Sequence, residues 1–134
     1  LERIAKELKP KLIEKGRNII KMNNHSKGIY FILFGKVHLE VAHNNEKLTF
    51  RKLKQFSFFG EFFWIHKNSP YNFRVSDDSD LKCLFISKEK LTLIMEDFKE
   101  MSFRMKEFVE QRHSYIDWVN SGLIYRNLSR LFSH

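Results

Sequence analysis

Apolar and polar residues recur along this chain with two different periods, and the switch between them divides it. Leu1, Ile4, Ala5 and Leu8 fall at i, i+3, i+4 and i+7, one face of a short helix that Pro10 is expected to stop. From Lys11 the period shortens to two. Residues 11–13 and 18–22 are short strand candidates either side of Gly16, and 23–28 is a polar turn cluster. Ile29-Tyr30-Phe31-Ile32-Leu33-Phe34 is the strongest strand signal, rich in β-branched and aromatic residues. Gly35-Lys36 predicts a tight turn into residues 37–41. There apolar and polar residues strictly alternate, as in a half-buried strand antiparallel to its neighbour. Asn44-Asn45 turns the chain before another strand at 48–53. Residues 73–75 and 81–86 resume the series, with Asp77-Asp78-Ser79-Asp80 as the expected hairpin between them.

The helical period returns at Ser87, a good N-cap residue, after which Leu91, Ile94 and Met95 line one face. A second helix is expected from near Phe98 to about Val119, where Met101, Met105, Phe108, Val109 and Ile116 recur at three- to four-residue steps. Asn120-Ser121-Gly122 marks its end, and Leu123, Ile124, Leu128, Leu131 and Phe132 predict a last short helix. The expected fold is mainly β with flanking helices: a jelly-roll barrel of about eight strands. It forms a single domain, 1–134, with a helix at 1–10, the roll at 11–87 and C-terminal helices at 88–134.

Composition narrows the chemistry. Fourteen Phe among 134 residues predict an aromatic core. The net charge is +8, but the 24 Lys and Arg are interspersed with 16 Asp and Glu. That pattern favours a solvated basic surface, useful beside an anionic membrane leaflet or ligand, over a nucleic-acid interface. Cys83 is the lone cysteine and the six His are scattered, so neither a disulfide nor a metal site is expected. No apolar run reaches the ~18–20 residues of a membrane span, and no signal-peptide pattern is present. No nucleophile with a base and an orienting group emerges, so the chain is not expected to be an enzyme. It opens within a helical pattern and without Met, as a fragment of a longer protein would.

One stretch departs from plain strand chemistry. Phe58-Phe59-Gly60-Glu61-Phe62-Phe63-Trp64 sets a glycine and a carboxylate among large apolar residues, and residues 62–65 could close one helical turn. A glycine there marks a bend or a close backbone approach, and a carboxylate in such company needs a partner.

Three pieces, in order, resemble the cyclic nucleotide-binding domain family between about residues 11 and 108. Glu14-Lys15-Gly16-Arg17-Asn18-Ile19-Ile20 is similar to its glycine turn into the barrel, and residues 28–37 to its following hairpin. Phe59-Gly60-Glu61, with the loop to Val75, resembles its phosphate-binding cassette, here 58–75. The resemblance implies that a cyclic phosphate lies against backbone N–H groups of a short helix. It gives Glu61 the ribose hydroxyl and an arginine the phosphate, with the base under the C-terminal helix. Gly60 and Glu61 match that pattern. The arginine does not: its Arg-Thr/Ser-Ala position falls on Tyr71-Asn72-Phe73, and the nearest guanidinium is Arg74.

The ligand-binding candidates are therefore Phe59, Gly60, Glu61, Phe62, Tyr71, Asn72, Phe73, Arg74 and Val75, with Met105, Phe108 and Val109 as lid candidates. Three outcomes are open. The pocket binds a cyclic nucleotide weakly with Arg74, His66 or Lys67 supplying charge, it binds another anion, or Tyr71, Phe73 and Trp64 fill it. No resident cofactor is expected, and cAMP or cGMP should not bind saturably below ~100 μM without the arginine. Similar losses in channel domains imply a cytoplasmic regulatory domain of a potassium or cyclic-nucleotide-gated cation channel. Its partner would be the rest of its own polypeptide, as a homotetramer, with no nucleic acid, and it would meet a membrane only through that remainder. The alternatives are the regulatory part of a cyclic-nucleotide-dependent kinase or of a catabolite-activator-type transcription regulator.

Overall fold

The computed structural model describes residues 2–43, 45–65, 67–100, 102–104 and 106–112. Helix α1 (Glu2–Glu7) is followed by strands β1 (Lys9–Ile13), β2 (Asn18–Ile20), β3 (Gly28–Phe34), β4 (Val37–His43) and β5 (Glu46–Leu53). Strand β6 (Phe58–Phe59) leads into a 3-10 turn (Glu61–Ile65), then β7 (Asn72–Val75), β8 (Leu81–Ser87) and helix α2 (Lys88–Glu96). A further helix, α3, covers the described residues from 99 to 112. The helices expected beyond it, in 113–134, lie outside the described residues.

The eight strands form two antiparallel four-stranded sheets, ordered β1-β8-β3-β6 and β2-β7-β4-β5. This is the expected mainly-β jelly roll, with strand-to-strand crossings between two facing sheets. Only β4 and β5 are consecutive strands that also pair. Two expectations are corrected by that. Gly35-Lys36 does not close a hairpin, and residues 77–80 do not either; each carries the chain from one sheet to the other. A turn residue specifies that the chain reverses, whereas burial decides which strand receives it. Strands β3 and β4 both present an apolar face inward, so they lie face to face across the core.

The N-terminal helix is also shorter than 1–10. It ends at Glu7, and Pro10 sits within β1 opposite Leu84. Proline is tolerated there because β1 is an edge strand, with one side of its backbone free of ladder bonds.

Two apolar clusters result. Between the sheets lie Val37, Leu39 and Val41, the alternating positions of β4, with Tyr30, Ile32, Leu81 and Cys83. Outside, α2 lays Leu91, Ile94 and Met95 on Ile29 and Ile86, where Ile4, Leu8, Phe31, Phe58 and Phe63 also pack. Each of the α2 residues so buried contributes roughly 1.5–3 kcal/mol. Ser87 caps α2, its hydroxyl accepting from Lys90 N at 3.3 Å, and the Lys90 ammonium reaches Glu7 of α1 at 2.8 Å. Phe58 and Phe63 flank the Gly60-Glu61 pair, so the helices and that stretch share one apolar cluster.

Candidate functional site

Gly60 joins β6 to the 3-10 turn with φ +95°, a region side chains disfavour. A Cβ here would lie 2.3 Å from the Gly28 carbonyl oxygen and 2.9 Å from Ser26 Oγ. The buried Ser26 hydroxyl holds that neighbour in place: it donates to Gly28 O at 2.7 Å and accepts from Gly28 N at 3.3 Å. Only glycine lets the backbone pass so close to the start of β3, and this crossing sets where Glu61 begins the turn.

Glu61 is buried, and α3 supplies its cation. Arg112 Nη1 lies 3.0 Å from Glu61 Oε1, with the two side chains 15% and 4% exposed. Arg112 Nη2 also donates to the Phe58 carbonyl at 2.8 Å, and its guanidinium lies 4.3 Å over the Phe58 ring. The arginine thus grips the residues on both sides of Phe59-Gly60. Of the lid candidates, Val109 is buried and the half-exposed Phe108 ring lies 6.3 Å from that of Phe58. Met105 lies outside the described residues. Arg112 was not among the candidates, although it falls four residues after Phe108 and so shares its helix face.

The inner part of the expected pocket is aromatic. Phe59, Phe62, Tyr71 and Phe73 are each at most 2% exposed. Their rings form a run: Tyr30 on Phe59 at 4.9 Å, Phe59 on Phe73 at 5.1 Å, and Phe73 against Tyr71 at 5.1 Å and Phe62 at 6.0 Å. Burial pushes the Tyr30 hydroxyl up to about 12 and raises the Cys83 thiol. Asn72 turns outward and its Oδ1 accepts from Met22 N at 2.7 Å, while Val75 is buried and its N–H donates to Arg17 O. Lys67 N donates to Phe62 O, closing the 3-10 turn. His66 and the Trp64 side chain lie outside what the structure describes.

Arg74 does not supply the missing charge. Along β7 Phe73 and Val75 are buried and face inward, so Arg74 points out of the roll. There its Nε and Nη2 donate to Glu40 Oε1 at 2.9 Å and Oε2 at 3.1 Å, and Nη1 reaches Asp77 at 3.1 Å. Thr49 Oγ1 adds a bond to Glu40 at 3.2 Å. The Arg74 hydrogen bond is the largest influence holding Glu40 below its ordinary carboxylate range. His38 alongside is lowered too, by burial first and then by Arg74.

The candidate positions differ from the family pattern in two respects: the rings of Phe59, Phe62, Tyr71 and Phe73 are buried against one another, and the charges lie elsewhere. No described cation stands at the arginine position, and the Glu61 carboxylate faces Arg112. Among the described residues no group of three or more His, Cys, Asp or Glu is placed to hold a metal ion. None of the described helices is long and apolar enough to cross a membrane.

A family model described as "Cyclic nucleotide-binding domain" matches residues 10–98. No curated protein matches the chain. Among solved structures the chain is similar to the Thermus thermophilus catabolite activator protein, with TM-score 0.71 and 16% identity, over 92% of this chain and 60% of that one. It is also similar to the regulatory domain of Toxoplasma gondii PKA with cAMP: TM-score 0.63, 13% identity, 72% of this chain and 38% of that one. The CO-dependent transcription factor CooA from Carboxydothermus hydrogenoformans gives TM-score 0.61 and 14% identity, over 93% of this chain and 54% of that one. The chain therefore spans less than two thirds of each, and at these identities the likeness concerns the fold.

Proposed function

The chain belongs to the cyclic nucleotide-binding domain family, and we propose that its regulatory signal is the position of α3 rather than the occupancy of a nucleotide pocket. The observation that carries this reading is Arg112. It reaches from α3 to both Glu61 and the Phe58 carbonyl, so the docked position of the helix is tied to the cassette. In this reading the side chains of Tyr71 and Phe73 take the space the family pattern gives to a ligand, and the domain acts as a regulator with no catalytic step. The longer polypeptide is a cation channel, with this domain on its cytoplasmic side, assembled fourfold, and α3 passes its displacement to the gate. What supports the channel reading is the degenerate cassette itself, which keeps Gly60 and Glu61 and replaces the arginine by Tyr71.

Calorimetry with cAMP and with cGMP is the direct test, and no saturable heat is expected below ~100 μM of either. A low-micromolar constant for either nucleotide overturns the reading. The channel assignment is tested separately, by recording currents from the full-length polypeptide with and without Arg112→Met. A current whose activation curve shifts in the variant is expected; no current from the parent polypeptide refutes the channel assignment, and unchanged gating in the variant refutes the role of Arg112.

A further inference from the structure

We infer that the groove between β1, β2 and the turn at 23–28 binds an anion carrying two or more clustered phosphates. This groove borders the cassette through β2 and Met22, but none of its lining residues falls within 58–75. Its volume is about 530 Å³, within the range of small-molecule sites, and Lys11, Arg17, Lys21, His25 and Lys27 line it without a carboxylate.

What marks this groove is the convergence of cations on one surface with no carboxylate in its lining. Arg74, Lys90, Arg104 and Arg112 are all held by carboxylates. Lys11, Arg17, Lys21 and Lys27 have no ion-pair partner among the described residues, and the Lys11 ammonium lies 4.1 Å over the Phe85 ring. Of the nearby acids, Asp80 accepts from Lys15 N at 2.9 Å, Asp77 pairs with Arg74 at 3.1 Å, and Glu14 is not among the lining residues. Four positive side chains around one groove repel each other until an anion arrives. A single phosphate leaves most of that charge unmatched, whereas two or three neighbouring phosphates match it. The amides of Asn18 and Asn24, which also line the groove, can donate to the remaining oxygens.

Such phosphates come from a soluble polyphosphate or from the headgroup of a phosphorylated lipid. Leu12 lies on the groove and is 66% exposed, an apolar neighbour of the kind that enters a headgroup layer.

The test titrates the 134-residue chain with inorganic tripolyphosphate and, separately, with phosphatidylcholine vesicles holding phosphatidylinositol bisphosphate at about 5%, both at about 50 mM salt. The double variant Lys21→Gln/Lys27→Gln alters two exposed side chains and should weaken binding about fivefold per lysine. The control Lys47→Gln/Lys52→Gln removes the same charge from β5, and binding should change by less than about twofold. Leu12→Gln should weaken the vesicle arm alone if the lipid is the source. Binding in the tripolyphosphate arm alone assigns the soluble source. Failure of both probes to bind overturns the inference, and so does equal weakening in the two double variants, which marks a diffuse effect of net charge.

Discussion

Replacing Arg112 with methionine keeps an unbranched apolar stem and removes the guanidinium, leaving Glu61 without the cation 3.0 Å away. Breaking a fully buried ion pair costs about 3–5 kcal/mol. Arg112 is 15% exposed, so water can reach part of the site and the expected cost falls to about 2–3 kcal/mol. The Phe58 carbonyl also loses a charged donor, but the two losses overlap, and ~3 kcal/mol serves for both. The described part of α3 has few other anchors: Val109 is buried, whereas Phe103 and Phe108 are largely exposed. The helix should therefore lift away before the roll unfolds. Hydrogen exchange reads this directly. Amides of α3 should exchange on the order of 100-fold faster in Arg112→Met, while those of β3 stay protected. Adding Glu61→Gln completes a double-mutant cycle with an expected coupling of about 1.5–3 kcal/mol. A rise in α3 exchange of less than about fivefold, or a coupling below ~0.5 kcal/mol, refutes the reasoning.

The remaining predictions concern the frame around this contact. Gly60→Ala forces a Cβ to within 2.3 Å of Gly28 O at a φ of +95°, so urea denaturation should show a loss of about 3 kcal/mol or more. A loss under ~1 kcal/mol would mean that the crossing relaxes freely. Acid should destabilise the fold in two ways. Neutral His38 is favoured in the folded state, so a cost sets in as pH falls below its ordinary 6.5. Glu40 titrates below its ordinary 4.5, so the stability it lends is complete above that value and is lost as pH falls through the lower folded one. Thermal melts from pH 7 to 3 should follow this course. Glu40→Gln should flatten its acid end, and an unchanged profile in that variant counts against the pairing. Cys83 is 1% exposed with its thiol raised by burial. Native protein should therefore react with a thiol reagent only at the rate of unfolding, and labelling within tenfold of a free thiol's rate contradicts its burial.

What could be read from the chain was what neighbours in sequence decide. The strand at 29–34, the alternation of Val37, Leu39 and Val41, and the Ser87 cap all rest on residues within one element, and each holds in the structure. Which strands pair was not legible, because the turn at Gly35 looks the same whether the returning strand joins the same sheet or the facing one. Arg74 shows the same limit at the site. Proximity to the arginine position drew attention to it, but a step of one residue along β7 puts it on the opposite face from Phe73. Arg112 was hidden for a different reason: 54 residues separate it from Phe58, and an arginine that shares the face of Phe108 carries no local sign of its partner. The carboxylate at Glu61 did signal that a partner was needed, without saying that α3 would bring it.

The Glu61–Arg112 contact also bounds how the domain can be switched. If docking of α3 is worth ~3 kcal/mol, the undocked state is populated at on the order of 1%. A state that rare is still within reach of an ordinary binding partner. A segment that binds undocked α3 about a thousandfold more tightly than docked α3 would make it the major form. A ligand that merely fills space near Glu61 shifts nothing unless it favours one of the two arrangements. The cassette glycine limits the motion further. Gly60 is wedged against Gly28 at the start of β3, and β6 is paired to Tyr30 and Phe31, so the roll side of the contact is fixed. Movement must then come from the helix. Arg112 is the part that leaves, and the attraction of the buried Glu61 carboxylate for it is what draws α3 back.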